Sequence, residues 1–521
     1  MLSKERDITR LLETILVAAK SITNADGGTL YRLIDGTLKF EIVQNDTLGI
    51  SMGGTTGNPI PFYPIHLIGR DGNENNSMVA AYAALHKTTV NIEDAYAARG
   101  FDFSGTRNFD SKTGYRSRSF LTVPMENHEN EVIGVLQLIN AKHRDSGEII
   151  AFSDADQRLV ESLGSQAAIA LTNRQLINQL EDLFESLINL INTAIDEKSP
   201  YTGGHCQRVP TLTMMLAEAA NSVTEGPLAA FSMSERDRYE LKIAGLLHDC
   251  GKVTTPVHVV DKATKLETIY DRIREVDTRF EVLKRDAEIE HLRRQVEQLR
   301  AGQPGEAALE GERLQHRWRE LDDEREFLRR CNIGGEFMSA DLQERVRSIA
   351  KRQWVNGGGE AQDFLSSDEV KNLTIARGTL NNDEREIINY HIVATIKMLE
   401  ALPWPKHLRN VPEYAGGHHE RMDGRGYPRG LTREQMSVQA RIMGIADIFE
   451  ALTAKDRPYK PGKTLTESLQ ILGRMRLEGH VDPDLFAIFI SNKVYLKYAE
   501  MFLDPQQIDA VDESRIPGYV A

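Results

Sequence analysis

The chain has 521 residues, 40% of them hydrophobic and 27% charged, with a formal net charge of -14. This is the composition of several soluble globular domains, and so acidic a surface argues against a nucleic-acid polymer as partner. No apolar run approaches the ~20 residues of a membrane helix, and the opening Met1-Leu-Ser-Lys-Glu-Arg-Asp has no apolar signal-peptide core, so a cytoplasmic protein with no membrane partner is expected.

Residues 1–172 read as α+β. An amphipathic helix starts at Ile8. Thr29-Leu-Tyr-Arg-Leu-Ile and Leu38-Lys-Phe-Glu-Ile-Val then flank Asp35-Gly36, a dipeptide that favours the positive φ of a tight hairpin. Polar loops follow (51–58 and 71–76). Phe120-Leu-Thr-Val-Pro-Met and Val132-Ile-Gly-Val-Leu-Gln-Leu-Ile-Asn form a second strand pair around a polar turn.

From Asp154 the pattern turns helical. Leu176, Leu180, Leu183, Leu187, Leu190 and Ala194 are spaced 4-3-4-3-4, a heptad seam. We read 173–195 as a connecting helix that either pairs two chains into a homodimer or packs on its own domain. Residues 196–521 are helical with an insertion at about 262–375. There Leu266, Ile269, Ile273, Val276, Phe280 and Leu283 repeat at 3-4 spacing, Ala301-Gly-Gln-Pro-Gly breaks the helix, and a second helical pattern runs from Arg313 to Arg330. An antiparallel helical hairpin is expected. Cys206, Cys250 and Cys331 show neither a disulfide framework nor zinc spacing.

The chemistry concentrates in the second half: His205, His248-Asp249, His391, His418-His419 and Asp447. Imidazole nitrogen and carboxylate oxygen suit ions such as iron, manganese or zinc. Each residue alone has a bland reading, a surface or core histidine. However, apolar runs lead straight into His248-Asp249 (Ile243-Ala-Gly-Leu-Leu) and into Asp447 (Ile442-Met-Gly-Ile-Ala). Ionisable groups closing buried helices need partners, and a shared metal supplies one.

His248-Asp-Cys-Gly-Lys252, His418-His-Glu-Arg-Met-Asp-Gly-Arg-Gly-Tyr-Pro428, Tyr201-Thr-Gly-Gly-His205-Cys-Gln-Arg-Val, Ala446-Asp447-Ile-Phe-Glu-Ala-Leu-Thr and Asp456-Arg-Pro-Tyr-Lys460 together resemble the HD-GYP family of the HD phosphohydrolase superfamily. The resemblance implies an all-α domain that holds two divalent transition metals, commonly iron or manganese, and hydrolyses cyclic di-GMP to pGpG or GMP. The implied ligands are His205, His248, Asp249, His391, His418, His419 and Asp447, with Asp249 bridging. Lys252 would act with Asp249 in catalysis and bind phosphate, with Arg457 and Lys460 on the second phosphate and Tyr427 against the substrate. Glu420 and Asp423 are expected to orient imidazoles. Gly424 and Gly426 are expected to permit the turn that presents Tyr427. Family members with a third metal carry a Glu before the first ligand His; here only Asp196 or Glu197 is available.

Residues 1–172 resemble a GAF domain through Thr113-Gly-Tyr-Arg-Ser-Arg-Ser-Phe-Leu-Thr-Val-Pro-Met and Val132-Ile-Gly-Val-Leu-Gln-Leu-Ile-Asn-Ala. That implies an antiparallel sheet with flanking helices, serving as a sensor of a small-molecule ligand or as an empty dimerisation module. The expected whole is multidomain: an α+β GAF domain joined by a long helix to an all-α HD-GYP domain with an inserted helical hairpin. The alternatives to cyclic di-GMP hydrolysis are a 3′,3′-cyclic GMP-AMP phosphodiesterase, a non-catalytic cyclic-dinucleotide receptor and a mononucleotide-acting HD enzyme.

Overall fold

The computed structural model describes residues 8–69, 71–198, 204–302, 307–335, 337–454 and 462–520. The chain divides into two compact units, residues 1–184 and 185–521.

The first unit is one antiparallel sheet with helices. In chain order come α1 (Ile8–Thr23), β1 (Ala25–Ile34), β2 (Thr37–Asn45), β3 (Ile50–Gly53), β4 (Ile65–His66), α2 (Val79–His86), β5 (Val90–Ile92), α3 (Ser104–Thr113), β6 (Phe120–Glu126), β7 (Val132–Lys142), β8 (Ile149–Ile150) and the start of α4 (Asp154–Lys198). The sheet order is β3-β2-β1-β7-β6-β5, with β4 on β2 and β8 on β7. Asp35 and Gly36 take φ of 48° and 70° in the β1–β2 turn, as the dipeptide implied. The loop expected at 51–58 in part forms β3, because its backbone pairs with β2 from Ile42↔Gly53 to Asn45↔Ile50.

One face of α1 (Leu11, Leu12, Ile15, Leu16) packs on Leu30, Leu136 and Leu138 of the sheet. A Cβ at Gly28 would stand 2.6 Å from the Leu16 side chain, so glycine here sets how close α1 lies to the sheet. Val160, Ala167, Ala168 and Leu171 of α4 join the same core. The connecting segment 173–195 continues a helix that starts at Asp154, where the pattern turns helical and where Ser153 and Asp156 exchange capping hydrogen bonds. The seam residues Leu176, Leu180, Leu183, Leu187 and Leu190 are 46–65% exposed, whereas Ile188, Asn192 and Ile195 are buried.

The second unit contains α5 (His205–Asn221), α6 (Glu235–Leu247), α7 (Val257–Val260), α8 (Ile273–Arg300), α9 (Ala307–Asn332), α10 (Ala340–Ala350), β9 (Gln353–Val355), β10 (Ala361–Asp363), α11 (Ser367–Leu373), α12 (Asn382–Glu400), α13 (Val411–Gly416), α14 (Val438–Thr453), α15 (Leu465–Leu477), α16 (Pro483–Ser491) and α17 (Val494–Phe502).

The insertion forms the α8–α9 hairpin with a core of its own, including Phe280, Leu321, Leu328, Val346, Phe364 and Leu373. Two of its features differ from expectation. Helix α8 starts at Ile273 rather than near Leu266, because Asn332 ties the preceding loop: its side chain accepts the Leu266 N–H (2.8 Å) and donates to Asp271 (2.9 Å). Ile269, one of the seam positions, is accordingly 95% exposed. The insertion also carries the short hairpin β9–β10, so this half is not purely helical.

Candidate metal centre

Helices α5, α12 and α14 and the C-terminal ends of α6 and α13 bring their histidines and acids to a common point. Helix α6 ends at Leu247, so His248 is its C-cap and Asp249 opens a 3-10 turn, Cys250–Thr254. The His-Asp pair thus sits at a helix end, not within a helix. The turn packs directly on α12: a Cβ at Gly251 would lie 2.0 Å from the His391 carbonyl oxygen, and the Gly251 N–H donates to Thr395 Oγ1 (2.9 Å).

Three histidines share one device. The Nδ1–H of His248 donates to Gly245 O (2.8 Å), that of His418 to Ala415 O (2.7 Å), and that of His391 to Ile388 O, each three residues back. A carbonyl only accepts, so Nδ1 carries the proton and Nε2 keeps its lone pair. His205 uses a carboxylate instead, with its Nδ1 2.6 Å from Glu450 Oε2. Arg208 braces the other Glu450 oxygen at 2.7 Å.

The free nitrogens gather into two groups. His205, His248 and Asp249 present donor atoms within 4.8 Å of one another, as do His391, His418 and His419. Asp249 stands between them. Its Oδ2 faces His205 (3.0 Å), His248 (3.1 Å) and Lys252 (2.6 Å), and its Oδ1 faces His391 Nε2 (3.3 Å). Asp447 Oδ1 lies 3.4 Å from His205 Nε2. All seven sequence-predicted ligands therefore converge.

The arrangement fits cations. His248 Nε2 faces His205 Nε2 at 3.3 Å, and His419 Nε2 faces His391 Nε2 at 3.2 Å; two lone pairs so placed repel unless a proton or metal lies between them. Among the described residues, the buried His418 Nε2 and Asp249 Oδ1 have no hydrogen-bond partner, a costly state that coordination would relieve. Burial and the neighbouring His248 push His418 down to about 4, and burial with His418 and His391 holds His419 well below the ordinary histidine value. Both rings are thus neutral at pH 7, the form that binds metal. For His205 burial opposes charge, but Glu450 and Asp249 outweigh it and raise the ring to about 9. The negative potential at that point draws a cation.

The loop after His419 is held by Glu420, whose carboxylate accepts the N–H groups of Arg429 (2.7 Å) and Leu431 (2.9 Å). Asp423 pairs with Arg421 (2.8 Å) and the Arg425 N–H (3.0 Å). Neither orients an imidazole, contrary to expectation. Gly424 has φ +74°, and a Cβ at Gly426 would lie 2.4 Å from Arg421 N, so both glycines are required. Tyr427 stacks on His419 with centroids 4.9 Å apart. Arg457 and Lys460 lie outside the described residues. Asp196 Oδ2 accepts the Gly204 N–H (3.3 Å), its buried Oδ1 has no hydrogen-bond partner among the described residues, and Glu197 is exposed.

Sequence reasoning missed Glu450 and Arg208. A signal existed: each stands three residues after a predicted ligand (Asp447 and His205) on the same helix face, and Glu450 interrupts an apolar run.

Residues 7–171 match the GAF domain family, and residues 202–327 and 367–485 each match an HD domain family. The chain carries a GAF domain and an HD domain. The 3'3'-cGAMP-specific phosphodiesterase 3 of Vibrio cholerae is 36% identical to the GAF–HD chain over 149 residues, 28% of this chain and 31% of that protein. The cyclic di-GMP phosphodiesterase of Thermotoga maritima is 38% identical over 98 residues, 19% of this chain and 26% of that protein. A GAF domain/HD domain protein of Geobacter sulfurreducens, a solved structure, aligns with 34% of this chain and 99% of its own at 17% identity and TM-score 0.23. The chain spans less than a third of the length of these curated relatives. No described helix is long and apolar enough to cross a membrane.

Proposed function

We propose that the GAF–HD chain is a metal-dependent phosphodiesterase of the HD-GYP type that hydrolyses cyclic di-GMP to pGpG or GMP. The observation that carries the reading is Asp249, with one carboxylate oxygen turned to each histidine group. His205, His248, Asp249 and Asp447 would hold one divalent ion and Asp249, His391, His418 and His419 a second, iron or manganese by donor type. Asp196 is the acid available to a third. Bound in pairs, such ions activate water near neutral pH and neutralise charge on a phosphoryl group.

The chain's own groups do the rest. Glu450 and the three backbone carbonyls aim the imidazoles. Burial and Asp249 compete over the Lys252 ammonium, and Asp249 wins, raising its pKa; a charged lysine beside the site is suited to a non-bridging phosphate oxygen. Tyr427, on its glycine turn, would flank the substrate, with Arg457 and Lys460 on the second phosphate.

Relatives named for cyclic di-GMP and for 3'3'-cGAMP both match, and the site residues address phosphate and metal more than bases, so both substrates enter the test. Metal-loaded protein is incubated with each, beside a His248→Ala/Asp249→Ala variant. Metal-dependent linear product absent in the variant supports the enzyme, and the faster substrate names the base preference. Tight binding with no turnover of either would point instead to a receptor.

In the GAF domain a cavity of about 360 Å³ lined by Tyr31, Phe40, Phe62, Phe103 and Tyr115 is proposed to take a small-molecule ligand that regulates hydrolysis. The exposed leucine seam of α4 is proposed to pair two chains in a homodimer.

A further inference from the structure

The last turn of α4 touches both segments that carry the first ligand group. Asp196 holds the Gly204 N–H, next to His205. Lys198, the final residue of the helix, donates from Nζ to Val253 O (2.5 Å) and Lys252 O (3.4 Å). These carbonyls belong to the 3-10 turn Cys250–Thr254, and a cation is favoured where carbonyls end a helical turn.

That turn has little freedom elsewhere. Gly251 lies backbone to backbone against α12. The Lys252 N–H closes back on Asp249 O (2.9 Å), and the Thr255 N–H on Lys252 O (3.1 Å). The Lys252 side chain in turn reaches Asp249 Oδ2. A shift of Val253 O is therefore passed to the Lys252 backbone and to the seat of its ammonium. Lys198 is the last residue of α4, so sliding or turning this end of the helix moves Lys198 with it.

We propose that Lys198 is a positioning residue that ties the setting of α4 to the placement of Lys252, a role that rests on the phosphodiesterase reading above. It touches no substrate. It acts through the turn, and any signal that displaces α4 reaches the site by this route.

The test uses the full chain loaded with manganese, cyclic di-GMP and the simple diester bis(p-nitrophenyl) phosphate. The variants are Lys198→Met, Lys198→Arg, Lys252→Met and the double Lys198→Met/Lys252→Met. Lys198→Met is expected to lower kcat/KM for cyclic di-GMP about tenfold, the scale of a sub-ångström misplacement, with bound manganese unchanged and Lys198→Arg restoring most of the loss. Because Lys198 acts through Lys252, the double variant is no slower than Lys252→Met alone. Independently of activity, hydrogen exchange on metal-free protein reads the turn: amides of Lys252–Thr255 exchange faster in Lys198→Met and not in Lys198→Arg. Wild-type activity and exchange in Lys198→Met, a double variant whose losses add, or manganese loss that accounts for the slower rate each overturns the proposal while leaving the phosphodiesterase standing. A wild-type chain that cleaves neither diester removes the phosphodiesterase reading and the proposal with it.

Discussion

Glu450→Gln tests how the metal centre is built. Glu450 is fully buried and gives one oxygen to His205 Nδ1 (2.6 Å) and the other to Arg208 Nε (2.7 Å). Both partners are donors. Burial alone would raise the Glu450 pKa, but His205 and Arg208 hold it at about 2, so the residue is a carboxylate at any working pH. Glutamine keeps the volume but offers one acceptor and one NH₂, leaving a donor facing a donor on one side. Loss of the carboxylate behind a ligating imidazole costs roughly 10–100-fold in metal affinity, equal to about 1.4–2.8 kcal/mol. Breaking the buried pair with Arg208 costs about 3–5 kcal/mol of stability, less whatever the retained Gln oxygen offsets. Manganese affinity is measured by chelator competition and stability by urea unfolding of the metal-free chain. A variant that binds manganese as wild type does, with unchanged stability, would refute the claim that Glu450 sets the His205 tautomer and braces the centre.

Gly251→Ala places a methyl 2.0 Å from His391 O and 2.5 Å from Thr395 N; destabilisation by roughly 2–3 kcal/mol is expected from forced backbone movement, read by urea midpoint, with lower metal content. Asp482 is fully buried, caps α16 through the Asp484 and Leu485 N–H groups (2.9 and 3.0 Å), and pairs with Arg433 (2.8 Å) and Arg441. Burial would raise its pKa, but the Leu485 amide and Arg433 hold it below the ordinary value. The folded pKa is thus depressed. Its stability is present above the unfolded value near pH ~3.9 and is lost as pH falls through the folded one, and in Asp482→Asn, less stable at pH 7 by about 3 kcal/mol, unfolding curves measured from pH 5 down to 2 show a shallower acid loss. Leu183→Glu/Leu187→Glu puts charge into the exposed α4 seam and is expected to give monomers in sedimentation at concentrations where wild type dimerises; an equally dimeric variant would remove the seam as the interface.

Much of this protein is decided by local pattern. The Asp35-Gly36 hairpin, the strands at 120–126 and 132–142, and the seam of α4 follow from residue type and spacing. The seven candidate ligand positions come from the motif resemblance, helped at His248-Asp249 and Asp447 by the apolar runs that lead into them. The start of α4 at Asp154 was legible as well; that Val160, Ala167 and Ala168 of this helix belong to the core of the first unit was not, because a periodic stretch carries no mark of where its own core stops. The late start of α8 was hidden because its tie, Asn332, lies 66 residues from Leu266 in the chain.

Which partner each candidate ligand meets is decided by tertiary structure. His205 and Glu450 are 245 residues apart, and no spacing rule joins them. Glu420, beside the histidine pair in sequence, turns to backbone amides of its own loop. Composition and periodicity choose which side chains are buried and on which helix face. Only the packing of α5 against α14, and of the Cys250–Thr254 turn against α12, decides which buried donor meets which acceptor, because a hydrogen bond needs its partner within about 3 Å and that distance is set by the meeting of helices far apart in the chain.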